Sequence, residues 1–190
     1  ELMVRTDKCK SCGKCIHVCP VDNLSEMAKG FKRNKCRACF SCAKVCPNEA
    51  FSMAGKRMTA EEVMDVAALD YNHYQFTGGG ITLTGGDPLC QAEFAFEILS
   101  KAKQMGIHTC IETSGTGQQN ALQKLLPVTD LWLFDLKGNA DIYRQLVGAD
   151  FVSVEQGLRY LLEQKSRVIL RCPIITGITD YDGWIDEICS

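Results

Sequence analysis

Twelve cysteines stand in a chain of 190 residues, and eight of them fall in a duplicated pattern. Cys9-Lys-Ser-Cys12-Gly-Lys-Cys15-Ile-His-Val-Cys19-Pro20 recurs 27 residues later as Cys36-Arg-Ala-Cys39-Phe-Ser-Cys42-Ala-Lys-Val-Cys46-Pro47. Both copies read C-x2-C-x2-C-x3-C-P. Three thiolates spaced two residues apart can wrap a tight loop around one face of an iron–sulfur cubane. The fourth cysteine is expected to start a short helical turn and to point toward the other copy's cluster. The expected ligand sets are therefore crossed: Cys9, Cys12, Cys15 and Cys46 for one cluster, and Cys36, Cys39, Cys42 and Cys19 for the other. Pro20 and Pro47 fix φ just past the fourth ligand and donate no N–H. Zinc is the alternative for C-x2-C pairs, but one ion needs two such pairs and no duplicated four-cysteine run closed by proline. His17, between ligands, reads as a surface residue.

This is the bacterial ferredoxin pattern, so a ferredoxin-like α+β domain carrying two [4Fe-4S] clusters is expected over residues 1–55. Ala50-Phe51-Ser52-Met53 is a short apolar stretch that can pair with Leu2-Met3-Val4-Arg5 as an outer hairpin, and Gly55 breaks it. The segment has few apolar residues, so metal binding is expected to hold it folded. Residues 1–57 carry 12 Lys and Arg against 5 Asp and Glu, and residues 58–190 carry 9 against 18. The basic half is read as the counterpart of cluster charge rather than as a nucleic-acid surface, because each four-thiolate site carries about two negative charges. Hydrophobic content of 46% and charged content of 23% are those of an ordinary globular chain. No apolar run approaches the ~20 residues of a membrane span, and no secretory signal core follows Glu1. A cytoplasmic protein with no nucleic acid, no membrane and no disulfide framework is expected.

The remaining residues, 56–190, alternate strands and helices. Thr59 and Glu62 form a capping box ahead of an apolar face of Val63, Val66 and Ala67. Gly78-Gly79-Gly80 precede a strand at Ile81–Thr84, and Gly85-Gly86-Asp87-Pro88 lead into a helix over about 91–105. Phe94, Ile98, Ala102 and Met105 line one side of that helix, with Gly106 at its end. Further strands are expected at 107–111, 131–135 and 168–172, with helices around Leu122–Leu126 and after a capping box at Ser153 and Gln156. Leu158, Leu161 and Leu162 are expected to face inward. This alternation predicts parallel βα units. Polar residues and glycines follow the strands: Gly85-Gly86-Asp87, Glu112-Thr113, Asp135-Leu136-Lys137 and Arg171. Ligand sites of β/α barrels lie at that end of the strands. Singly, each has a plainer reading: Gly85-Gly86 as a turn, Glu112 as a cap or surface charge, and Asp135 with Lys137 as a pair on one strand face. Cys110 and Cys172 read as small core residues, and packing is favoured for Cys90 as well.

Several of these stretches resemble a known family. Tyr74-Gln-Phe-Thr-Gly78-Gly-Gly-Ile-Thr-Leu-Thr-Gly85-Gly-Asp-Pro-Leu89 after the cysteine repeats looks like a glycyl-radical-enzyme activase, a radical S-adenosylmethionine (SAM) enzyme with a ferredoxin-like insert. Glu112-Thr-Ser-Gly115, Asp130-Leu-Trp-Leu-Phe-Asp135-Leu-Lys137 and Arg171-Cys-Pro-Ile-Ile-Thr-Gly177-Ile-Thr-Asp180 continue the resemblance in the family's order across nearly the whole chain. It implies a partial (β/α)6 barrel with about four strands present. It also implies that Gly85, Gly86 and Asp87 contact the SAM amino group, with Asp87 in place of the usual Glu. Asp135, Leu136 and Lys137 match the segment near the SAM carboxylate, and Glu112, Thr113 and Asp135 match positions around a monovalent cation. Thr176 stands where the family often has Pro.

The chemistry implied is reductive cleavage of SAM to methionine and a 5′-deoxyadenosyl radical, which takes hydrogen from a glycine of a partner glycyl-radical enzyme. A third [4Fe-4S] cluster and an electron donor such as flavodoxin or ferredoxin belong to that picture, and a monomer is expected. The family's C-x3-C-x2-C triad is not among these residues, since Asp22 and Glu49 stand where its third cysteine would fall, so no catalytic residue is assigned. The resemblance places the triad upstream of the insert and a further strand and a SAM-contacting histidine downstream. The chain is therefore expected to be the middle of an activase, inactive by itself and left with exposed strand edges. The competing expectation is a two-cluster electron-transfer module on a non-catalytic barrel remnant.

Overall fold

The computed structural model describes residues 2–24, 31–117, 119–181 and 183–189. The chain divides into two compact units, Glu1–Arg57 and Met58–Ser190. In the first, β1 (Leu2–Val4) pairs antiparallel with β2 (Phe51–Met53), with Leu2 opposite Met53 and Val4 opposite Phe51. Between them lie the two cysteine loops and a short helix α1 (Ser41–Val45). Leu2, Leu24, Cys42 and Phe51 are buried, and the side chains packed on them include Cys15, Cys19, Cys36 and Cys46. Sulfur thus makes up much of what little core this unit has.

The second unit opens with α2 (Ala60–Ala67) and α3 (Tyr71–Thr77). The capping box read from Thr59 and Glu62 is present: Glu62 N donates to Thr59 Oγ1 at 3.2 Å and Thr59 N donates to the Glu62 carboxylate at 2.7 Å. Four parallel strands follow in sheet order β3 (Gly80–Leu83), β4 (His108–Thr113), β5 (Leu131–Asp135) and β6 (Val168–Arg171). The connecting helices are α4 (Ala92–Gln104), α5 (Gln119–Leu125), α6 (Ala140–Ile142, running into a π turn over Tyr143–Val147) and α7 (Phe151–Glu163). A last helix, α8, covers Trp184–Cys189. Asp182 and Ser190, on either side of it, lie outside the described residues.

Strand register sorts side chains into two layers, because alternate residues face opposite sides. Ile111, Thr113, Trp132 and Phe134 form one row with Leu83, Val168 and Leu170, and they pack beneath the helices with Leu99, Leu125, Val154 and Leu161. The opposite row carries Thr82, Cys110, Glu112, Leu133, Asp135, Ile169 and Arg171. Helix α4 serves two clusters: Ala95 and Leu99 enter the main core, while Ile98 and Ala102 pack with Met64 and Ile107. Asp130 braces the start of β5. It accepts from Thr109 N and Thr109 Oγ1, both at 2.9 Å, and from Lys103. Burial acts to raise the Asp130 pKa, but these donors outweigh it and the net shift is downward.

Some local expectations are corrected. Helix α7 is capped by Asp150, whose carboxylate accepts from Val152 N and Ser153 N, so Ser153 lies inside the first turn rather than at the cap. Aspartate is as good an N-cap as serine, and it is the earlier of the two. Leu162 is 55% exposed, outside the buried stripe that holds Leu161. The fourth cysteine of each repeat closes a helical turn instead of starting one: Cys19 follows the 3-10 turn Ile16–Val18 and Cys46 follows α1. Cys110 is buried, as read, but Cys90 is exposed.

Gly80 is where β3 and β4 come closest. A Cβ there would lie 1.8 Å from the backbone oxygen of His108. Gly80→Ala is expected to destabilise the unit by at least about 3 kcal/mol, since neither backbone can yield without breaking the sheet. Gly106→Ala, at φ +68° with only the end of Gln75 nearby, should cost about 1 kcal/mol. Thermal denaturation of the two variants measures the contrast.

Candidate functional site

Among the described residues two places gather chemically active side chains. The first is the pair of cysteine loops, which fold alike because the repeat carries equivalent left-handed backbone positions. Ser11 (φ 52°) matches Ala38 (φ 50°), Gly13 (φ 75°) matches Phe40 (φ 60°), and Asp22 (φ 47°) matches Glu49 (φ 51°). Each non-glycine residue there costs of order 1 kcal/mol or more. In return the chain turns tightly enough to bring its thiols to one side. Cys9, Cys12, Cys15 and Cys46 line one cavity of about 130 Å³ with Leu24 and Phe51. Cys19, Cys36, Cys39 and Cys42 line a second, with Leu24 and Phe31.

Backbone amides point at the sulfurs: Asn23 N to Cys19 Sγ at 3.3 Å, Ala38 N to Cys36 Sγ at 3.3 Å, and Ala50 N to Cys46 Sγ at 3.2 Å. Desolvation works against the Cys46 thiolate, yet the amides of Phe51, Asn48, Ala50 and Glu49 outweigh it and its pKa falls. Cys15 and Cys42 shift upward, first through burial and then through neighbouring thiols. Among the described residues no group of three or more His, Cys, Asp or Glu side chains closes around a point that could hold one metal ion. Four thiols spread around a cavity, with amide donors behind them, are instead the donor set that a four-iron cluster takes, one thiolate to each iron. The residues present fit the group. His17 is exposed and lines neither cavity.

The second place is the C-terminal edge of the parallel sheet. Gly85 and Gly86 leave β3 in an exposed turn at φ +82° and +94°, with nothing within 4 Å of where a Cβ would stand. Asp87 does not extend into the open. Its carboxylate accepts from Thr113 Oγ1 (2.8 Å), Ser114 N (2.9 Å), Ser114 Oγ (2.7 Å) and Leu89 N (3.1 Å), fastening the glycine turn to the end of β4. Ser114 was not singled out from sequence. The hydroxyl run Thr113-Ser114 just past an apolar strand was the available signal.

Glu112 and Thr113 are the last residues of β4 rather than loop residues, so they project to opposite faces. Thr113 is buried on Asp87, while Glu112 joins Asp135 and Arg171 on the open row. Arg171 reaches Glu112 at 2.8 Å and Asp135 at 2.6 Å. The trio expected around a monovalent cation is therefore not brought together by side chains, and the Arg171 guanidinium lies against both of its carboxylates. Arg171 holds the Glu112 carboxyl below its ordinary pKa, and the two acids raise that of Arg171. Asp135 pairs with Arg171, not with Lys137. Lys137 lies beyond β5 with an exposed side chain, and its backbone N donates to the buried Tyr143 hydroxyl at 3.3 Å. Leu136 is buried in the main core. The edge thus presents an open glycine turn, a braced guanidinium–carboxylate row and an exposed ammonium.

A parallel βα sheet with this edge, next in sequence to two four-thiol loops, has known counterparts. Residues 33–186 match the Radical SAM superfamily, and residues 2–47 match a 4Fe-4S dicluster domain. The chain belongs to the radical SAM superfamily, and [4Fe-4S] clusters and SAM are the cofactors that accompany these matches. Among curated relatives, the choline trimethylamine-lyase activating enzyme of Oleidesulfovibrio alaskensis is 35% identical over 188 residues, covering 96% of this chain and 61% of the relative. The benzylsuccinate synthase activating enzyme of Thauera aromatica is 33% identical, covering 98% and 59%. The pyruvate formate-lyase 1-activating enzyme of Escherichia coli K12 is 35% identical, covering 67% and 53%. A domain of the pyruvate-formate lyase-activating enzyme from Bacteroides vulgatus superposes with a TM-score of 0.52 at 26% identity, over 55% of this chain and 66% of that one. The chain spans about three fifths of the length of the activating enzymes it matches most fully.

Removing the guanidinium tests the electrostatics of the edge. The folded pKa of Glu112 is depressed, so its contribution to stability is present above the unfolded value and is lost as pH falls through the folded value. In Arg171→Met the Glu112 carboxyl is expected to titrate at higher pH than in the parent. Acid unfolding should likewise begin at higher pH. Carboxyl-resolved NMR titration and circular dichroism against pH report the two effects.

Proposed function

We propose that the protein is part of a glycyl-radical-enzyme activase, in which SAM is cleaved reductively and a glycyl radical is installed on a partner enzyme. The observation that carries this reading is the C-terminal edge of the sheet, where the Gly85–Gly86 turn follows β3, Lys137 follows β5 and Arg171 joins Glu112 and Asp135 across β4, β5 and β6. Bound beside a reduced cluster, SAM would supply the radical chemistry for hydrogen abstraction from a glycine. The protein's own part is placement and exclusion of water. The backbone oxygens of the glycine turn suit the SAM ammonium, and Asp87 positions that turn rather than touching the ligand. Lys137 suits the carboxylate, and Leu136, packed in the core, fixes where Lys137 leaves the sheet.

In the first unit, Cys9, Cys12, Cys15 and Cys46 hold one [4Fe-4S] cluster and Cys19, Cys36, Cys39 and Cys42 the other. A third cluster with an open iron belongs to the whole enzyme, together with a one-electron donor such as flavodoxin or ferredoxin. The protein acts as a monomer in the cytoplasm. No helix among the described residues is long and apolar enough to cross a membrane.

Iron and sulfide analysis with EPR on the anaerobic whole enzyme tests the reading. About twelve irons and 5′-deoxyadenosine formed from SAM are expected. About eight irons and no cleavage would leave only an electron-transfer module. Lys137→Ala should weaken SAM binding about tenfold in equilibrium dialysis, with the iron count unchanged. The crossed ligand sets predict a further contrast. Cys12→Ser with Cys46→Ser should disturb one cluster, whereas Cys39→Ser with Cys46→Ser should disturb both. The irons retained and the EPR line shape separate the two.

A further inference from the structure

The two cysteine cavities differ in what surrounds the sulfur that reaches solvent. In each loop the second cysteine, Cys12 or Cys39, is the exposed one. Cys12 belongs to a cavity wall that also holds Lys10, Lys14 and Ile16. Both lysines are exposed and neither has an acidic partner among the described residues, and Ile16 is 36% exposed. Nearby Lys8 is engaged with Glu49. The equivalent wall at Cys39 offers Arg37 and the aromatic side chains of Phe31 and Phe40, which are turned partly inward. The charge is also more than two clusters require. Residues 1–57 hold 12 basic against 5 acidic side chains. Two four-thiolate sites, at about two negative charges each, leave the unit basic.

We propose that the face formed by Lys10, Cys12, Lys14 and Ile16 is where an acidic one-electron carrier protein docks to deliver electrons to the first cluster. This rests on the two-cluster reading above. A small apolar spot ringed by one sign of charge suits a short-lived encounter: the charges steer the approach and the limited apolar contact lets the carrier leave. Lysine suits this better than a bidentate arginine clamp, since it is a hydrated point charge that fixes no single orientation. The step balances with the reduced carrier losing one electron and the oxidised cluster gaining it. No bond is made or broken and no proton moves. Cys12 is the one exposed thiol of its set, so the carrier can approach the cluster there.

The test is stopped-flow reduction of the reconstituted protein by flavodoxin hydroquinone, chosen as an acidic carrier, at several ionic strengths. For the parent, the second-order rate constant should fall about tenfold or more as salt rises from about 20 mM to about 300 mM. The charge reversal Lys10→Glu with Lys14→Glu should lower the low-salt rate about tenfold and flatten its salt dependence. Neutral Lys10→Gln with Lys14→Gln should fall between, and Arg37→Glu should stay within about twofold of the parent. Reduction by an uncharged photoreductant should be the same in all four, which separates docking from damage to the cluster. A Lys10/Lys14 reversal that leaves the carrier rate unchanged overturns the proposal. So does a slowing confined to Arg37→Glu, which would put docking at the other loop. Fewer than about eight irons in the parent would instead remove the two-cluster reading itself, and iron analysis shows that before any carrier is added.

Discussion

Glu112 and Asp135 project from neighbouring strands onto the same open face, where two carboxylates left alone would repel and draw in water. Arg171, at the end of the next strand, reaches both. One guanidinium therefore ties together the C-terminal ends of three strands, and the geometry of the edge follows from it. The glycine turn after β3 is fastened in the same manner from the other side, with Asp87 tied to Thr113 and Ser114. The ends of β4, β5 and β6 and the turn after β3 are thus tied to one another through side chains. Rigid, partly dehydrated polar groups can hold a charged ligand without first reorganising.

The cysteine unit solves a different problem. A segment of fewer than sixty residues whose buried apolar and thiol side chains, among the described residues, are Leu2, Leu24, Cys42, Ala50 and Phe51 cannot fold on hydrophobic burial alone. Its loops also carry left-handed Ser11, Ala38 and Phe40, which an unliganded chain has reason to relax. The amides of Asn23, Ala38 and Ala50 turned toward sulfur show where that strain is offset: they stabilise thiolate charge and set the direction of each ligand.

Much of this was legible in the sequence. The duplicated cysteine pattern anticipated which four thiols line each cavity, with Cys19 and Cys46 exchanged. The capping box at Thr59 and the alternation of strands and helices were legible because both are local. What escaped depended on the third dimension. Nothing local says whether Glu112 is the last residue of a strand or the first of a loop, yet that decides which face it takes and whether it can stand beside Thr113. The cap at Asp150 was hidden behind an equally good local signal at Ser153 and Gln156. No local pattern announces that the Asp87 carboxylate accepts from Thr113 and Ser114, 26 and 27 residues further on. Cys90 looked like packing because small sulfur side chains usually are, but the turn in front of it holds it outward.

The alternation of side chains along β4, β5 and β6 makes the site and the core two readings of the same three segments. Trp132 and Phe134 fill one side while Leu133 and Asp135 face the other. A single inserted or deleted residue within a strand would exchange them, sending acids into the oil and indole onto the open face. Drift in such a protein has little freedom along its strands. Insertions and deletions are better accommodated in the connectors, where no such alternation is at stake.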